Sequence, residues 1–208
     1  MVSAKLQEVK IGEKITWGNY QGEPILWRVL DKEEEKALLM SEKCLDAQPY
    51  HCEWEEVTWE DSSLRGWLND EFWHAAFSEE EQGSILSTLC KNEPNPKYNT
   101  SGGNDTEDFI FLLSLSEAEK YFASDTERRA RATEYAESKK TGTDSEGFTW
   151  WWLRSLGFVE NCCAEVKCDG SIDYVGRLTY FTGCGGTSTT TVANGVRPAM
   201  WIRLDEKI

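Results

Sequence analysis

The sequence predicts an α+β protein built around a mainly antiparallel sheet. Apolar segments typical of strands occupy the first part of the chain, segments typical of helices occupy the middle, and strand-like segments return at the end. Segregation of this kind is typical of α+β proteins rather than of doubly wound proteins. The 208 residues include ten tryptophans and are 39% hydrophobic, which is enough for a packed core. We therefore expect a single domain, residues 1–208, with two or more helices packed on the sheet.

Three strands are predicted in the N-terminal part. The first is short, at 15–17, and the apolar runs 24–30 and 37–41 are expected to pair as a hairpin. The segment 31–36 between them is charged, which is typical of a hairpin turn in contact with solvent.

Helices are predicted next. Ser62 or Ser63 is expected to cap a helix, because apolar residues follow at a spacing of three to four: Leu64, Trp67, Leu68, Phe72 and Trp73. Ser78 and Glu81 form a capping-box pattern that begins a second helix, which is expected to carry Ile85 and Leu86.

A polar loop at 92–105 separates these helices from an apolar run at 109–113, which predicts a buried strand. Ser116 with Glu119 is expected to cap a helix at 117–122. A basic helix is expected at 126–139.

The C-terminal third predicts strands at 150–153, 165–167, 171–173 and 196–204. We expect the last of these to share one sheet with the N-terminal strand at 25–30. The pair Asp169-Gly170 predicts a tight hairpin turn, because glycine adopts the positive φ that such a turn requires. Side chains beside such a turn are presented on a rigid support.

The segment 168–197 differs in composition from the rest of the chain. It contains no Glu, Lys, Gln, Met or Trp, although these five types make up roughly a quarter of the whole sequence. Tyr, Phe, Arg, Asp, Ser and Thr are scattered among glycines instead, which is typical of a binding surface. A Gly/Thr-rich surface loop without a ligand is the alternative interpretation.

The net charge of −15 and the pI of about 4.6 argue against nucleic-acid partners and anionic membrane surfaces. No apolar stretch approaches the length of about 18 residues that predicts a membrane-spanning helix, so we expect no membrane insertion. The first eight residues lack the apolar core of a secretory signal. These features favour a cytoplasmic protein.

The seven cysteines have no regular spacing and predict free thiols, with no disulfide, metal or other cofactor. Cys162, Cys163, Cys168 and Cys184 lie near one another in sequence, but no CxxC pair supports a zinc site. His51 and His74 lie far from any Ser or Cys with the sequence context of a catalytic triad, so we expect no hydrolase activity.

Several motifs in order resemble a bacterial domain of unknown function that is common in gut bacteria. They extend from about Trp27 to Leu204 and include Thr58-Trp59-Glu60, Leu64-Arg65-Gly66-Trp67-Leu68-Asn69, Phe111-Leu112-Leu113-Ser114, Trp151-Trp152-Leu153-Arg154-Ser155 and Gly195-Val196-Arg197-Pro198-Ala199. That resemblance implies a C-type-lectin-like fold akin to formylglycine-generating enzymes. Members with such endings include variable proteins of diversity-generating retroelements, which rewrite adenines in a C-terminal variable region.

The resemblance also gives the compositional difference a mechanism. Rewriting the adenines of an AAC codon cannot produce Glu, Lys, Gln, Met or Trp, the set that is missing from 168–197. It implies a variable region at about 156–194 within a non-enzymatic, receptor- or adhesin-type protein whose ligand is an unknown protein or cell-surface molecule. The protein would then be cytoplasmic or phage virion-associated. The expected ligand-binding residues are Phe158, Val159, Asn161, Cys168, Asp169, Ser171, Asp173, Tyr174, Val175, Arg177, Leu178, Tyr180 and Phe181.

Other interpretations remain open at this point. The enzymatic alternative is an oxidase related to formylglycine-generating enzymes that uses cysteine thiols. Glu93-Pro94-Asn95 matches a calcium-dependent sugar-binding motif of animal lectins, but its partner motif stands in reversed order, so we expect no calcium site. Arg154 and Arg197 are expected to be buried structural residues, held by carboxylates and carbonyls.

Overall fold

The computed structural model describes residues 9–53, 55–139, 141–179 and 193–204. Its strands are β1 (Lys14–Tyr20), β2 (Glu23–Lys32), β3 (Lys36–Ser41), β4 (Asp46–Gln48), β5 (Ile85–Leu86), β6 (Thr88–Cys90), β7 (Thr106–Asp108), β8 (Ala130–Arg131), β9 (Phe148–Thr149), β10 (Trp151–Leu156), β11 (Cys162–Val166), β12 (Ile172–Leu178), β13 (Asn194–Val196) and β14 (Ala199–Arg203). Its helices are α1 (Ser63–Trp67), α2 (Trp73–Ala76), α3 (Glu79–Ser84), α4 (Leu115–Tyr121), α5 (Asp125–Arg128) and α6 (Glu134–Ser138). The expected α+β class with mostly antiparallel sheets is confirmed.

One sheet joins the two ends of the described chain, in the strand order β1-β2-β3-β14-β5. The hairpin of β2 and β3 is confirmed, and β14 pairs antiparallel with β3 so that Met200 lies opposite Leu39. The expected meeting of N-terminal and C-terminal strands is therefore confirmed. Alternate apolar residues of these strands are buried, which is how period-two patterns stabilise a sheet.

A second sheet carries the C-terminal hairpin, in the order β12-β11-β10-β13-β4. Its neighbouring strands are antiparallel except for β10 and β13, which run parallel. The predicted strand at 196–204 is divided between the two sheets. Val196 ends β13 and Ala199 begins β14, because Pro198 between them has no N–H to continue a ladder.

The core is one cluster that contains side chains from both sheets and from the helices. Trp59 and Trp152 are buried on either side of Tyr50, with ring centroids 6.0 Å from it in both cases. The Tyr50 hydroxyl donates to the Arg154 carbonyl at 2.8 Å, so the buried polar group is satisfied.

Three further predicted elements differ from the structure, and each has a local cause. The predicted strand at 109–113 is wrong, since only Phe111 forms a bridge, to Ala199. The Asn69 side chain accepts from the N–H groups of Phe109 and Ile110 and donates to the Ile110 carbonyl, so it replaces a strand partner there.

The helix predicted at 126–139 is interrupted. It divides into α5 and α6 because Thr133 caps α6 through the Ala136 N–H, and β8 pairs with β9 before that cap. The helix expected at 117–122 begins earlier, as α4, because Ser114 and Glu117 form the capping box instead of Ser116 and Glu119.

The other helix starts agree with the sequence. Ser62 caps α1, a π-helical turn (Leu68–Phe72) joins α1 to α2, and Ser78 forms the predicted capping box of α3 with Glu81. The expected extension of this helix through Ile85 and Leu86 is wrong, because these two residues form β5 and pair with β14. Within the described ranges, no helix is both long and apolar enough to cross a bilayer.

Candidate ligand-binding surface

The predicted ligand-binding residues lie on the hairpin of β11 and β12 and on the turn that precedes it. Five of them are exposed: Phe158, Val159, Asp169, Val175 and Leu178. Six are half-buried: Asn161, Cys168, Ser171, Asp173, Tyr174 and Arg177. Tyr180 and Phe181 lie outside the described residues.

These residues occupy the two ends of the hairpin rather than one compact cluster. One group surrounds the turn at 157–161 and the end of β12, where Leu178 lies opposite Cys162. The other group surrounds the turn between β11 and β12, which Lys167 N–H closes on the Ser171 carbonyl at 2.9 Å. We call the first end the base and the second end the tip. The seven residues of β12 separate them by about 20 Å.

The base carries an apolar patch, which we define as Tyr98, Phe158, Val159, Val175 and Leu178. Their exposed fractions are 38–48%, and they account for five of the nine large hydrophobic side chains that are exposed in the described part of the chain. The rings of Tyr98 and Phe158 meet edge to face at 6.2 Å, and the Phe158 N–H donates to the Val175 carbonyl at 3.0 Å. Exposed apolar groups gathered in this way are typical of interaction sites.

Asn95 holds the backbone of the base in place. Its side-chain Nδ2 lies 2.9 Å from the Leu156 carbonyl, 3.1 Å from that of Gly157 and 2.9 Å from that of Tyr174. Its Oδ1 accepts from the Lys97 N–H at 3.0 Å, and the residue is 2% exposed. Sequence reasoning missed this role, which only the fold reveals, because the loop at 92–105 is remote from the hairpin in sequence.

Tyr174 is held by two charged residues from outside the hairpin. Its hydroxyl donates to the Glu119 carboxylate, and Lys97 Nζ lies 3.4 Å from the centroid of its ring. Partial burial and the hydrogen bond to Glu119 raise the pKa of Tyr174 to about 12. The phenol therefore stays protonated at neutral pH and serves as a donor.

A bulge in β12 shapes the centre of the hairpin. The Asp173 carboxylate accepts from the N–H groups of Val175 and Gly176, and Lys167 Nζ lies 3.0 Å from it. Gly176 has φ +78°, and a Cβ there would lie 2.3 Å from the Cys163 carbonyl oxygen. The close approach of the two strands at this point thus requires glycine.

Glu165 is a buried carboxylate between β12 and β13. Arg177 contacts it through Nε at 3.0 Å and Nη2 at 3.3 Å, and the Asn194 amide also donates to it. The Arg177 side chain is 41% exposed, but its charge is paired with that of the buried Glu165 carboxylate. A paired guanidinium of this kind contributes mainly geometry to a surface.

The tip is held by two arginines: Arg128, the last residue of α5, and Arg129, which follows it. Arg128 Nε donates to the Gly170 carbonyl at 2.9 Å, and Arg129 Nε donates to the Cys168 carbonyl at 3.1 Å. The positive φ predicted for Gly170 is confirmed at +87°. Asp169 accepts from both the N–H and the hydroxyl of Ser171, which stabilises the turn from within.

The sequence pattern predicts that Val166, Ile172, Val196 and Trp201 are buried beneath the surface. This is confirmed for Val166 and Val196, whereas Ile172 and Trp201 are only partly buried. Ile172 is near the tip of an edge strand, and Trp201 lies under the Lys36 ammonium at 4.5 Å, so neither is fully covered.

Arg154 and Arg197 are confirmed as buried, but they differ in their partners. Arg154 contacts the Glu117 carboxylate and donates to the carbonyls of Leu112 and Lys91. Arg197 donates to the carbonyls of Ser41 and Arg128, and no carboxylate is within ion-pair distance of it in the described part. Burial lowers the pKa of Arg197 to about 10, so the residue remains charged at neutral pH.

A family model described as "Domain of unknown function (DUF6273)" matches residues 34–204. The chain belongs to this family. No curated protein and no solved structure matches the chain. The match includes β10 to β14 and the loop that carries Asn95, so both ends of the hairpin lie within the DUF6273 domain.

The thiols of this DUF6273 domain are scattered. Cys44, Cys90 and Cys163 are buried and Cys52 is exposed, while Cys184 lies outside the described residues. Burial raises the pKa of Cys163 well above its ordinary value and also raises the pKa of Cys162. Thiolates are therefore disfavoured at both positions at neutral pH.

The motif Glu93-Pro94-Asn95 does not present Asn95 as a cation ligand, because both ends of its amide are used within the protein. The described residues contain no group of three or more His, Cys, Asp or Glu side chains arranged to hold a metal ion.

His51 is closer to a serine than the sequence indicated. Its Nδ1 lies 3.0 Å from Ser63 Oγ, and its Nε2 lies 3.1 Å from the Glu55 carboxylate. The order Ser-His-Glu resembles a hydrolase triad, but the Ser63 N–H also points at Nδ1, at 3.2 Å. His51 thus accepts a hydrogen bond from a backbone N–H group in the first turn of α1. The nearby Cys52 N–H donates to Ser63 Oγ, so it is not available to stabilise an oxyanion.

Proposed function

We propose that this DUF6273 domain is a non-enzymatic ligand-binding protein of the receptor or adhesin type. In this proposal the scaffold is C-type-lectin-like, and the hairpin of β11 and β12 with its preceding turn displays a hypervariable surface diversified by a retroelement. The proposal rests on the agreement of two boundaries. The segment that lacks Glu, Lys, Gln, Met and Trp begins at Cys168, and at the same point the chain passes from the buried strand β11 to the partly exposed tip and β12.

Burial differs sharply between neighbouring strands. Every residue of β10 and β11 is buried, whereas every residue of β12 is half-buried or exposed. Misfitting side chains in a core cost about 1–3 kcal/mol, and exposed substitutions usually change stability by less than about 0.5 kcal/mol. Diversification of β12 outside Gly176 is therefore compatible with folding, whereas diversification of β11 is not.

The backbone of the surface is held by groups that do not depend on the variable side chains. Asn95, Arg128 and Arg129 lie outside the proposed variable region and donate to main-chain carbonyls within it. Every amino acid supplies such a carbonyl. The surface can therefore change its side chains and keep its shape, which favours a display function.

The alternative is an oxidase that uses cysteine thiols. That reaction requires accessible, ionisable thiols, but Cys163 is buried and donates to the Leu153 carbonyl at 2.9 Å. The raised pKa values of Cys162 and Cys163 also oppose it. Stoichiometric copper in the purified protein would favour the oxidase.

The test is a surface swap at the five exposed predicted residues. Phe158, Val159, Asp169, Val175 and Leu178 are replaced together by other residues that AAC-derived codons encode, and each protein is used to select binders from one peptide-display library. We expect the two proteins to select different binders while the Tm changes by only a few degrees. Unfolding of the variant, or selection of identical binders, would contradict the proposal. A reverse-transcriptase gene beside an imperfect repeat of the coding segment would support it independently.

A further inference from the structure

We infer that the ligand of this surface is a protein whose contact area is apolar at its centre and basic at its rim, and that Tyr98 supplies a contact to it from outside the variable region. The inference rests on the proposed function, because it names the partner chemistry of the same surface. It is carried by the placement of Tyr98 and by which charges at the base are already paired.

Tyr98 belongs to the loop that Asn95 attaches to the hairpin. It is 45% exposed, and its ring packs edge to face on Phe158, so it extends the apolar patch beyond the proposed variable region. Tyrosine supplies a large contact area at a low entropy cost and is enriched at binding hot spots. A contact that does not vary would give every diversified version of the surface a minimum of affinity.

Two of the cations near the hairpin are in ion pairs, Lys167 with Asp173 and Arg177 with Glu165. Lys97 instead lies over the ring of Tyr174, whose hydroxyl donates to the Glu119 carboxylate. An acidic or phosphorylated ligand would have to compete with these contacts. The base therefore has little free positive charge to offer.

Two glutamates that are close to base residues in sequence have unpaired carboxylates in the described part of the chain. Glu93 stands two residues before Asn95, and Glu160 stands two residues after Phe158. Both residues are exposed, and neither carboxylate has a hydrogen bond or an ion pair with the part of the chain that the structure describes. The free charge at the rim is thus negative, and electrostatic complementarity calls for Lys or Arg on the partner.

The net charge of −15 acts in the same direction at long range, because it attracts basic partners and repels nucleic acids and anionic membranes. An apolar centre with a charged rim is also the usual anatomy of a protein–protein interface. These features together favour a basic protein over the other classes of macromolecule.

The test uses two synthetic amphipathic helical peptides as probes. Both have the same face of Leu and Trp, and their polar face carries Lys in one and Glu in the other. Binding to the full chain is measured by fluorescence anisotropy at physiological salt. We expect the Lys peptide to bind more tightly and Tyr98→Ala to raise its Kd about tenfold. Leu26→Ala, which removes an exposed apolar side chain from β2 in the other sheet, should leave the Kd unchanged.

The rim is tested by a pair of double variants with equal net charge. Glu93→Gln with Glu160→Gln should weaken binding of the Lys peptide several-fold, whereas Glu34→Gln with Glu79→Gln, at exposed positions elsewhere, should not. Equal weakening by both doubles would show that attraction is not local and would overturn the inference. Tighter binding of the Glu peptide, no binding of either peptide, or no effect of Tyr98→Ala would also overturn it.

The failure of this inference differs from the failure of the proposed function. If the five-residue surface swap changes binding but Tyr98 and the two glutamates have no effect, the variable surface stands and the partner chemistry is wrong. If the swap also has no effect on binding, both proposals are wrong.

Discussion

The tip and the base of the hairpin are both held by side chains that donate to main-chain carbonyls, but with different chemistry. At the tip, the donors are the guanidinium groups of Arg128 and Arg129, and the neighbouring side chains are polar. At the base, the donor is the neutral amide of Asn95, and the neighbouring side chains are apolar. The Arg128 contact is buried and the Arg129 contact is partly buried, while the Asn95 amide is buried and neutral. Both ends are therefore held from outside the hairpin, the tip by charged groups and the base by a neutral one.

The tip is broken most severely by Gly170→Ala. A Cβ at this position would lie 1.7 Å from the Asp125 carbonyl oxygen, and the backbone has φ +87°. Steric overlap with backbone combined with strain should lower the free energy of unfolding by about 3 kcal/mol or more, measured by urea denaturation. Gly22→Ala is the matched control, because Gly22 has φ +85° but open space around it. It should cost about 1 kcal/mol; equal losses would show that the tip does not pack closely on α5.

The base is broken by Asn95→Ala. The change leaves the carbonyls of Leu156, Gly157 and Tyr174 without their shared donor, so we expect a loss of about 2 kcal/mol in the free energy of unfolding. Hydrogen exchange at the amides of 157–161 should also accelerate. Asn104→Ala, which removes an exposed amide bonded to Glu60, should cost less than about 0.5 kcal/mol. If Asn95→Ala changed neither the free energy of unfolding nor hydrogen exchange, Asn95 would not hold the backbone of the base.

The sequence predicted the elements whose signals are local. The hairpin of β2 and β3, the capping box of Ser78 and the turn at Gly170 follow from short patterns, and the structure confirms them. These patterns work because the energies that decide them arise within a few residues.

What the sequence did not predict depends on single side chains acting at a distance. Asn69 replaces a strand partner at Phe109 and Ile110, and Asn95 binds carbonyls about sixty and eighty residues away. An asparagine has no periodicity, and its partners are main-chain atoms that every residue carries. The contact of His51 with Ser63 is hidden for the same reason. Composition indicated the exposed position of only five of the predicted residues, and it gave no indication of the side chains that hold the hairpin in place.

Between the tip and the base, Asp173 gives the hairpin a dependence on pH. Partial burial acts to raise the pKa of its carboxyl, but the Lys167 ammonium and the N–H groups of Val175 and Gly176 outweigh it and lower the pKa. A lowered folded-state pKa means that this contribution to stability is present above the unfolded pKa, about 4, and is lost as pH falls through the folded value. We expect Asp173→Asn to reduce the acid-dependent loss of Tm below pH 4. Asp61→Asn, at an exposed turn, is the control; an identical acid profile for Asp173→Asn would contradict the role of the bulge.

The smallest effect on the free energy of unfolding is expected for a substitution at the exposed side of the base. Comparison with the same substitution at a buried position distinguishes the surface from the scaffold. Val175→Ser removes an apolar side chain that is 44% exposed, whereas Val166→Ser makes the same chemical change at a residue that is fully buried. The first should change the free energy of unfolding by about 0.5 kcal/mol. The second should cost at least about 2 kcal/mol, because it leaves a cavity and buries a hydroxyl. Serine is a residue that AAC-derived codons encode, so the comparison measures directly which positions can be rewritten. Equal costs at the two positions would mean that β12 is part of the core, and the surface could not then vary without loss of the fold.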